Sequence, residues 1–161
     1  MARDYPAKRK KQVKAPTSLK REIIRDVLSP SEASLLSGHI GYGSFADPLI
    51  GRLSGLVTDR FPYLTLDAPS YCRVEDRREG YPWHVDVGNR GHMAWCRVSA
   101  SCLLTPVEGF SGGGYYFRDE GPIFHYLDLL VYDDDAGNEH RVAPHHGDRR
   151  VLLMCFGAGD G

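Results

Sequence analysis

The sequence predicts a mainly β, α+β domain: a β-sandwich or jelly roll with two N-terminal helices packed on one sheet. Three observations carry this expectation. Helical periodicity is confined to residues 31–61. From about residue 69 onward, short apolar or alternating runs are separated by glycine- and aspartate-rich turns. Eighteen glycines and ten prolines favour many short elements over a few long helices. With 161 residues, 42% hydrophobic and 25% charged, one globular core is expected rather than two. The expected organisation is a basic tail over residues 1–20 followed by a single domain over residues 21–161.

Glu22 to Leu28 contains Ile23, Ile24 and Val27, β-branched residues that suit a strand, and Ser29-Pro30-Ser31 breaks it. Ser31 is placed to cap a helix over Glu32 to Ile40, which Gly41 and Gly43 end. Asp47-Pro48 opens a second helix, an N-cap followed by proline at the first helical position. Leu49, Leu53, Leu56, Val57 and Phe61 give it one apolar face, and Pro62 stops it. Strands are expected near 69–75, 83–86, 95–104, 114–118, 123–132, 139–143 and 148–156. Turns are expected at Asp76–Gly80, Val107–Gly113, Asp133–Asn138 and Pro144–Gly147.

Charge is unevenly spread. Residues 1–25 carry nine basic and two acidic side chains, about +7, so the remainder sums to about −8 given the net charge of −1. The tail reads as a solvated end segment, with an arm for nucleic acid or an anionic surface as the alternative. A neutral-to-acidic body argues against a broad nucleic-acid footprint elsewhere. No secretory or membrane-spanning apolar run is present, so a soluble, cytoplasmic protein without membrane partners is expected. Cys72, Cys96, Cys102 and Cys155 form no C-x-x-C pair and read as buried reduced thiols.

His84-Val85-Asp86 is the first candidate for chemistry. Residues i and i+2 of a strand share a face, so the imidazole and carboxylate can converge on one atom. Together they supply two of the three ligands of the facial triad used by non-haem Fe(II). By itself the pattern is common in a chain with seven histidines. Of the distal histidines, His140 lies just inside a strand after the Asp133–Asn138 turn and is the best third ligand. His125 sits in an apolar stretch and reads as a core histidine. His145 and His146 fall in the Pro144–Gly147 turn and read as solvent-facing. The strand from Val151 to Phe156 is apolar on both faces, yet Arg149-Arg150 precede it. An arginine kept in a core needs a carboxylate, either an internal one such as Asp128 or Asp148, or a ligand's. Alternation allows only one of Arg149 and Arg150 to point inward.

Taken jointly, these residues and their spacing from Tyr71 to Phe156 resemble the Fe(II)/2-oxoglutarate dioxygenase superfamily, in its prolyl-4-hydroxylase-like branch. The landmarks run in order: Tyr81 ahead of His84-x-Asp86, the strand Arg97-Val98-Ser99-Ala100-Ser101-Cys102-Leu103-Leu104, the turn Phe110-Ser111-Gly112-Gly113, and the apolar Leu129-Leu130-Val131-Tyr132. His140-x-Val142-x-Pro144 and Gly147-x-Arg149 close the pattern. Two departures are visible. The family's turn between histidine and arginine is often one residue longer, and Val151 stands where a hydroxyl sometimes assists the co-substrate.

The resemblance implies a double-stranded β-helix, with Fe(II) held by His84, Asp86 and His140. It also implies 2-oxoglutarate and O2 as co-substrates, with ascorbate as an optional reductant. Arg149 takes the role of pairing with the far carboxylate of 2-oxoglutarate, with Arg150 as fallback and Tyr71 or Tyr81 as phenol donors to it. The expected activity is hydroxylation of a C–H bond of a peptidyl proline or a small molecule, releasing succinate and CO2. Trp83, Trp95 and Arg97 are candidates for the substrate pocket. Its rim is expected from the loops Asp76–Gly80, Gly88–Met93 and Arg118–Pro122, with Tyr115 and Tyr116 nearby. The alternative is a non-oxidative metal-binding jelly roll, cupin-like or a degenerate family member, which has no reason to bury Arg149.

Overall fold

The structure, a computed structural model, describes residues 21–66, 70–86 and 94–157. The basic tail over residues 1–20 and the expected rim loop Gly88–Met93 lie outside the described residues. The chain is mainly β, with two helices and antiparallel sheets. The first helix, α1, spans Pro30–Ser37, shorter than expected and capped by Ser29 rather than Ser31. The reason is a capping box. The Ser29 hydroxyl accepts from the Glu32 amide at 3.1 Å while the Glu32 carboxylate accepts from the Ser29 amide at 2.9 Å, with Pro30 filling the first helical position. The second helix, α2, spans Pro48–Arg60 and is capped as expected, Asp47 accepting from the Leu49 and Ile50 amides at 2.9 and 3.4 Å.

Twelve strands form among the described residues: β1 (Arg21–Ile24), β2 (Gly41–Tyr42), β3 (Tyr71–Glu75), β4 (Tyr81–His84), β5 (Val98–Leu103), β6 (Phe110–Gly112), β7 (Tyr115–Phe117), β8 (Glu120–Ile123), β9 (Leu129–Asp133), β10 (His140–Val142), β11 (His145–Gly147) and β12 (Val151–Phe156). They assemble as a six-stranded sheet in the order β1-β9-β5-β12-β3-β2, a four-stranded sheet β4-β10-β7-β8, and the pair β11-β6. Two expected loops are corrected. Pro144–Gly147 contains β11, because His145–Gly147 finds a partner in Phe110–Gly112. Arg118–Pro122 runs into β8, which pairs with β7. The expected strand 123–132 is interrupted between Ile123 and Leu129, where Leu127 adopts a φ of 66°.

The period-two alternation of the large sheet divides its labour. On one face Cys72, Val74, Ala100, Cys102, Leu129, Val131, Leu152, Met154 and Phe156 pack against Ala33, Leu36, Ile50, Leu53 and Val57 of the helices. Leu53 and Leu152 are fully buried, each gaining about 1.5–3 kcal/mol from leaving water. On the other face, Leu130 and Tyr132 meet Tyr115, Phe117 and Val142 of the four-stranded sheet in a smaller core. Toward β3 this second layer opens into a cavity of about 360 Å³. All four cysteines are buried and free. No helix among the described residues is long and apolar enough to cross a membrane.

Candidate metal centre and active site

The cavity is floored by Tyr71, Glu75, Ser101, Val151 and Leu153 of the large sheet and walled by Tyr81, His84, Asp86, Tyr115, Tyr132, His140 and Arg149. In its wall, β4 and β10 run antiparallel with His84 directly opposite His140, their ring centroids 4.3 Å apart. The expected strand 83–86 ends at His84, and Asp86 stands in a bend two residues on. Its carboxylate still converges with both rings: Oδ1 lies 2.9 Å from His84 Nε2 and 3.3 Å from His140 Nε2. The structure therefore brings the three expected ligands together, with all donor atoms within 4.8 Å of one another.

The geometry suits a metal. Ligands at right angles around an ion, each about 2.1 Å from it, stand about 3 Å apart, close to the two spacings found. Both imidazoles are also oriented for ligation. His84 Nδ1 lies 2.7 Å from the Pro82 carbonyl and His140 Nδ1 lies 2.8 Å from that of Asn138. A carbonyl only accepts, so Nδ1 carries a proton in each ring and Nε2 points at Asp86, donating to the carboxylate when protonated and offering its lone pair to a metal when not. A two-histidine, one-carboxylate set on one face fits non-haem Fe(II).

The outer oxygen of Asp86 is tied separately. Oδ2 accepts from Ser99 Oγ at 2.6 Å and from the Tyr132 hydroxyl at 3.1 Å, leaving Oδ1 as the oxygen that faces both imidazoles. Burial pushes the Asp86 carboxyl up, but the hydrogen bonds from His140, His84 and Ser99 outweigh it and hold the group far below the ordinary carboxylate range. For His84 burial acts downward. The hydrogen bonds to Asp86 and the Pro82 carbonyl prevail, and its pKa is raised. Tyr132 is fully enclosed and hydrogen-bonded to Tyr115; burial, and then the charge of Asp86, push both phenols well above their usual range, so they act as donors.

Arg149, which lines the same cavity, is 6% exposed and has no ion pair among the described residues, and its Nε has no hydrogen-bond partner there. Burial lowers its pKa, while Tyr115, Asp76 and Glu75 act the opposite way from a distance. Gly113, at φ +76°, makes room for it. A Cβ there would sit 2.6 Å from Arg149 Cδ. Arg150 turns outward, pairing with Asp148 at 2.9 Å and donating to the Ser37 carbonyl at 2.7 Å.

Other expected residues divide. Tyr71 and Tyr81 both line the cavity, although the Tyr81 hydroxyl donates to Glu75 at 2.7 Å. Trp83, Trp95 and Arg97 do not line it. Trp83 alternates to the opposite face of β4, where Arg118 lies 3.8 Å over its ring, and Arg97 donates to the Ala94 and Cys96 carbonyls. Tyr115 is buried in the cavity wall rather than at a rim, whereas Tyr116 lies outside under Arg141. His125 is the expected core histidine, 1% exposed. His145 is corrected: its side chain is fully buried, Nε2 lies 2.7 Å from Asp76, and its backbone amide donates to the Arg78 carbonyl. The exposed position is His146. Ser99, Ser101 and Tyr132 also stand at the site; the sequence marks the strands they lie on but gives these side chains no role of their own. The one signal for the serines is a pair of hydroxyls spaced i, i+2 in an otherwise apolar strand.

Solved structures share the fold that carries these residues. A viral collagen prolyl hydroxylase from Paramecium Bursaria Chlorella virus-1, in a 2OG complex, superposes with a TM-score of 0.61 at 10% identity, over 84% of this chain and 94% of that one. The chain has the fold of the prolyl hydroxylases. A Pseudomonas putida prolyl-4-hydroxylase gives 0.60 at 14% identity over 87% and 93% of the two chains. A Trichoplax adhaerens prolyl hydroxylase, in complex with a hypoxia inducible factor oxygen degradation domain peptide fragment, gives 0.59 at 18% over 97% and 94%. No protein-family model and no curated protein matches the sequence.

Proposed function

We propose that this protein is an Fe(II)- and 2-oxoglutarate-dependent dioxygenase built on a double-stranded β-helix, hydroxylating a C–H bond of a peptidyl proline or a small molecule. The observation that carries the reading is the pairing, in one cavity, of a His84–Asp86–His140 donor set with a buried arginine that has no carboxylate contact among the described residues. A metal site alone fits many jelly rolls. A desolvated guanidinium in the same cavity calls for an anionic ligand, and a keto acid that chelates the metal at one end carries its second carboxylate at the other.

In this reading His84, Asp86 and His140 would hold Fe(II) through Nε2, Oδ1 and Nε2. When bound, iron and keto acid supply with O2 the oxidising power for hydroxylation, with succinate and CO2 released. The chain's own contribution is placement. Ser99 and Tyr132 hold Oδ2 so that Asp86 ligates through one oxygen, and the Pro82 and Asn138 carbonyls fix the two imidazoles. Arg149 grips the far carboxylate, and Leu153, Val151 and Val142 keep the cavity dry. Tyr71 lies in the same cavity as a further donor.

The test needs no knowledge of the primary substrate. Purified protein with Fe(II), 2-oxoglutarate, ascorbate and O2 is expected to release succinate slowly. Anaerobic addition of the first two is expected to give a weak visible charge-transfer band that His84→Ala and Asp86→Ala abolish. Metal binding with neither succinate nor a band would favour the non-oxidative jelly roll.

A further inference from the structure

Ser101 and His125 form a buried polar pair beside Arg149 that the metal site does not use. Ser101 lies on β5 on the cavity face of the large sheet and lines the cavity, and its Oγ is 2.8 Å from His125 Nε2. His125 itself does not line the cavity. It stands behind Ser101, edge-on to Tyr115 at 5.6 Å, and its Nδ1 is buried without a hydrogen-bond partner.

Which ring nitrogen carries the proton decides what Ser101 can do. Burial and then the charge of Arg149 lower the His125 pKa to about 3, so the ring is neutral at ordinary pH and holds one proton. If that proton sat on Nδ1, a buried N–H would have no acceptor among the described residues, which is costly. With the proton on Nε2, the N–H donates to Ser101 Oγ and no buried N–H is left unpaired. The serine's lone pair is then occupied and its own O–H is released.

We infer that His125 turns Ser101 into a hydrogen-bond donor aimed into the cavity, where it supplies a second contact to the carboxylate that Arg149 grips. This rests on the keto-acid reading of the cavity. Ser101 is a binding residue in this account and His125 a positioning residue that acts through it.

Two measurements test the inference. On the wild-type protein, long-range 15N–1H correlation spectra report the His125 tautomer, expected as protonated Nε2 and bare Nδ1. Protonated Nδ1 would overturn the inference, since Ser101 would then spend its proton on the ring. On the Mn(II)-loaded protein, calorimetric titration compares 2-oxoglutarate with pyruvate, which has the same chelating end and no far carboxylate. Ser101→Ala is expected to weaken 2-oxoglutarate about tenfold or more and leave pyruvate within about twofold, with Ser101→Thr restoring binding. Equal losses for both acids, or none, would sink the role of Ser101 while the function stands. Wild-type protein that does not prefer 2-oxoglutarate to pyruvate would remove the keto-acid reading itself, and this inference with it.

Discussion

Replacing Ser99 by alanine tests whether the hold on the outer oxygen of Asp86 matters for metal binding. The hydroxyl stands 2.6 Å from Oδ2, within the short range of O–H bonds to carboxylates, and Asp86 is 15% exposed, so water replaces the lost donor poorly. A hydrogen bond to a charged group contributes about 1.5–3 kcal/mol. Tyr132 at 3.1 Å remains, so the carboxylate keeps one of its two restraints. What it loses is its fixed rotation: with Oδ2 free to swing, Oδ1 is no longer locked 2.9 and 3.3 Å from the two Nε2 atoms. Metal affinity is expected to fall about ten- to a hundredfold, toward the lower end because of Tyr132. Competitive titration of Mn(II) or Fe(II) against a chelating dye gives the number, and a thermal melt of the metal-free protein separates it from loss of fold. Metal binding within twofold of wild type would refute the idea that the outer oxygen is held for the metal's sake.

The remaining predictions probe other parts of the same layout. His84 has a raised folded pKa, so its stabilising contact with Asp86 is complete below about pH 6.5 and is lost as pH rises through the raised value. Metal competes with that proton, so apparent metal affinity should climb with pH through the same window and then level off; a flat profile from pH 6 to 8 would contradict it. Gly113→Ala puts a Cβ 2.6 Å from Arg149 Cδ at φ +76°, and is expected to cost about 1–3 kcal/mol and weaken 2-oxoglutarate binding, measured by denaturant melts and calorimetry. Gly55→Ala, in α2 with nothing within 4 Å, should instead stabilise by about 0.5–1 kcal/mol with binding unchanged.

Much of this layout was legible in the sequence because it follows from strand period. The i, i+2 spacing of His84 and Asp86 directs both to one site although Asp86 lies just past the strand's end, and of the neighbouring Arg149 and Arg150, just ahead of β12, one goes into the core and one to the surface. The Asp47-Pro48 helix start is local chemistry and needs no tertiary knowledge. Failures arise where a partner distant in sequence decides. Pro144–Gly147 has turn composition, yet Phe110–Gly112 pairs with it, and Asp76, sixty-nine residues away, draws His145 inward. Trp83 looked like pocket material by its proximity to His84, and the same alternation that converges the ligands sends it to the opposite face. Ser99, Ser101 and Tyr132 are silent because a serine in an apolar strand or a tyrosine at a strand end acquires meaning only from what lies across the sheet.

Arg149 is where stability and function pull apart. A buried cation without a contacting carboxylate has lost its hydration and gained only the distant attraction of Glu75 and Asp76. Exchanging buried ions for apolar residues of similar volume is often neutral or stabilising by about 1–4 kcal/mol. Methionine fits the unbranched channel beside Gly113 that the arginine's stem occupies. Arg149→Met is therefore expected to melt no lower than wild type without ligand, and several degrees higher if about 1–2 kcal/mol is recovered, while losing the stabilisation that 2-oxoglutarate gives the wild-type protein. A variant that melts much lower yet still gains stability from 2-oxoglutarate would mean that the guanidinium is held for the fold. Its burial would then be a structural matter, and the case for a keto acid would reduce to the metal ligands.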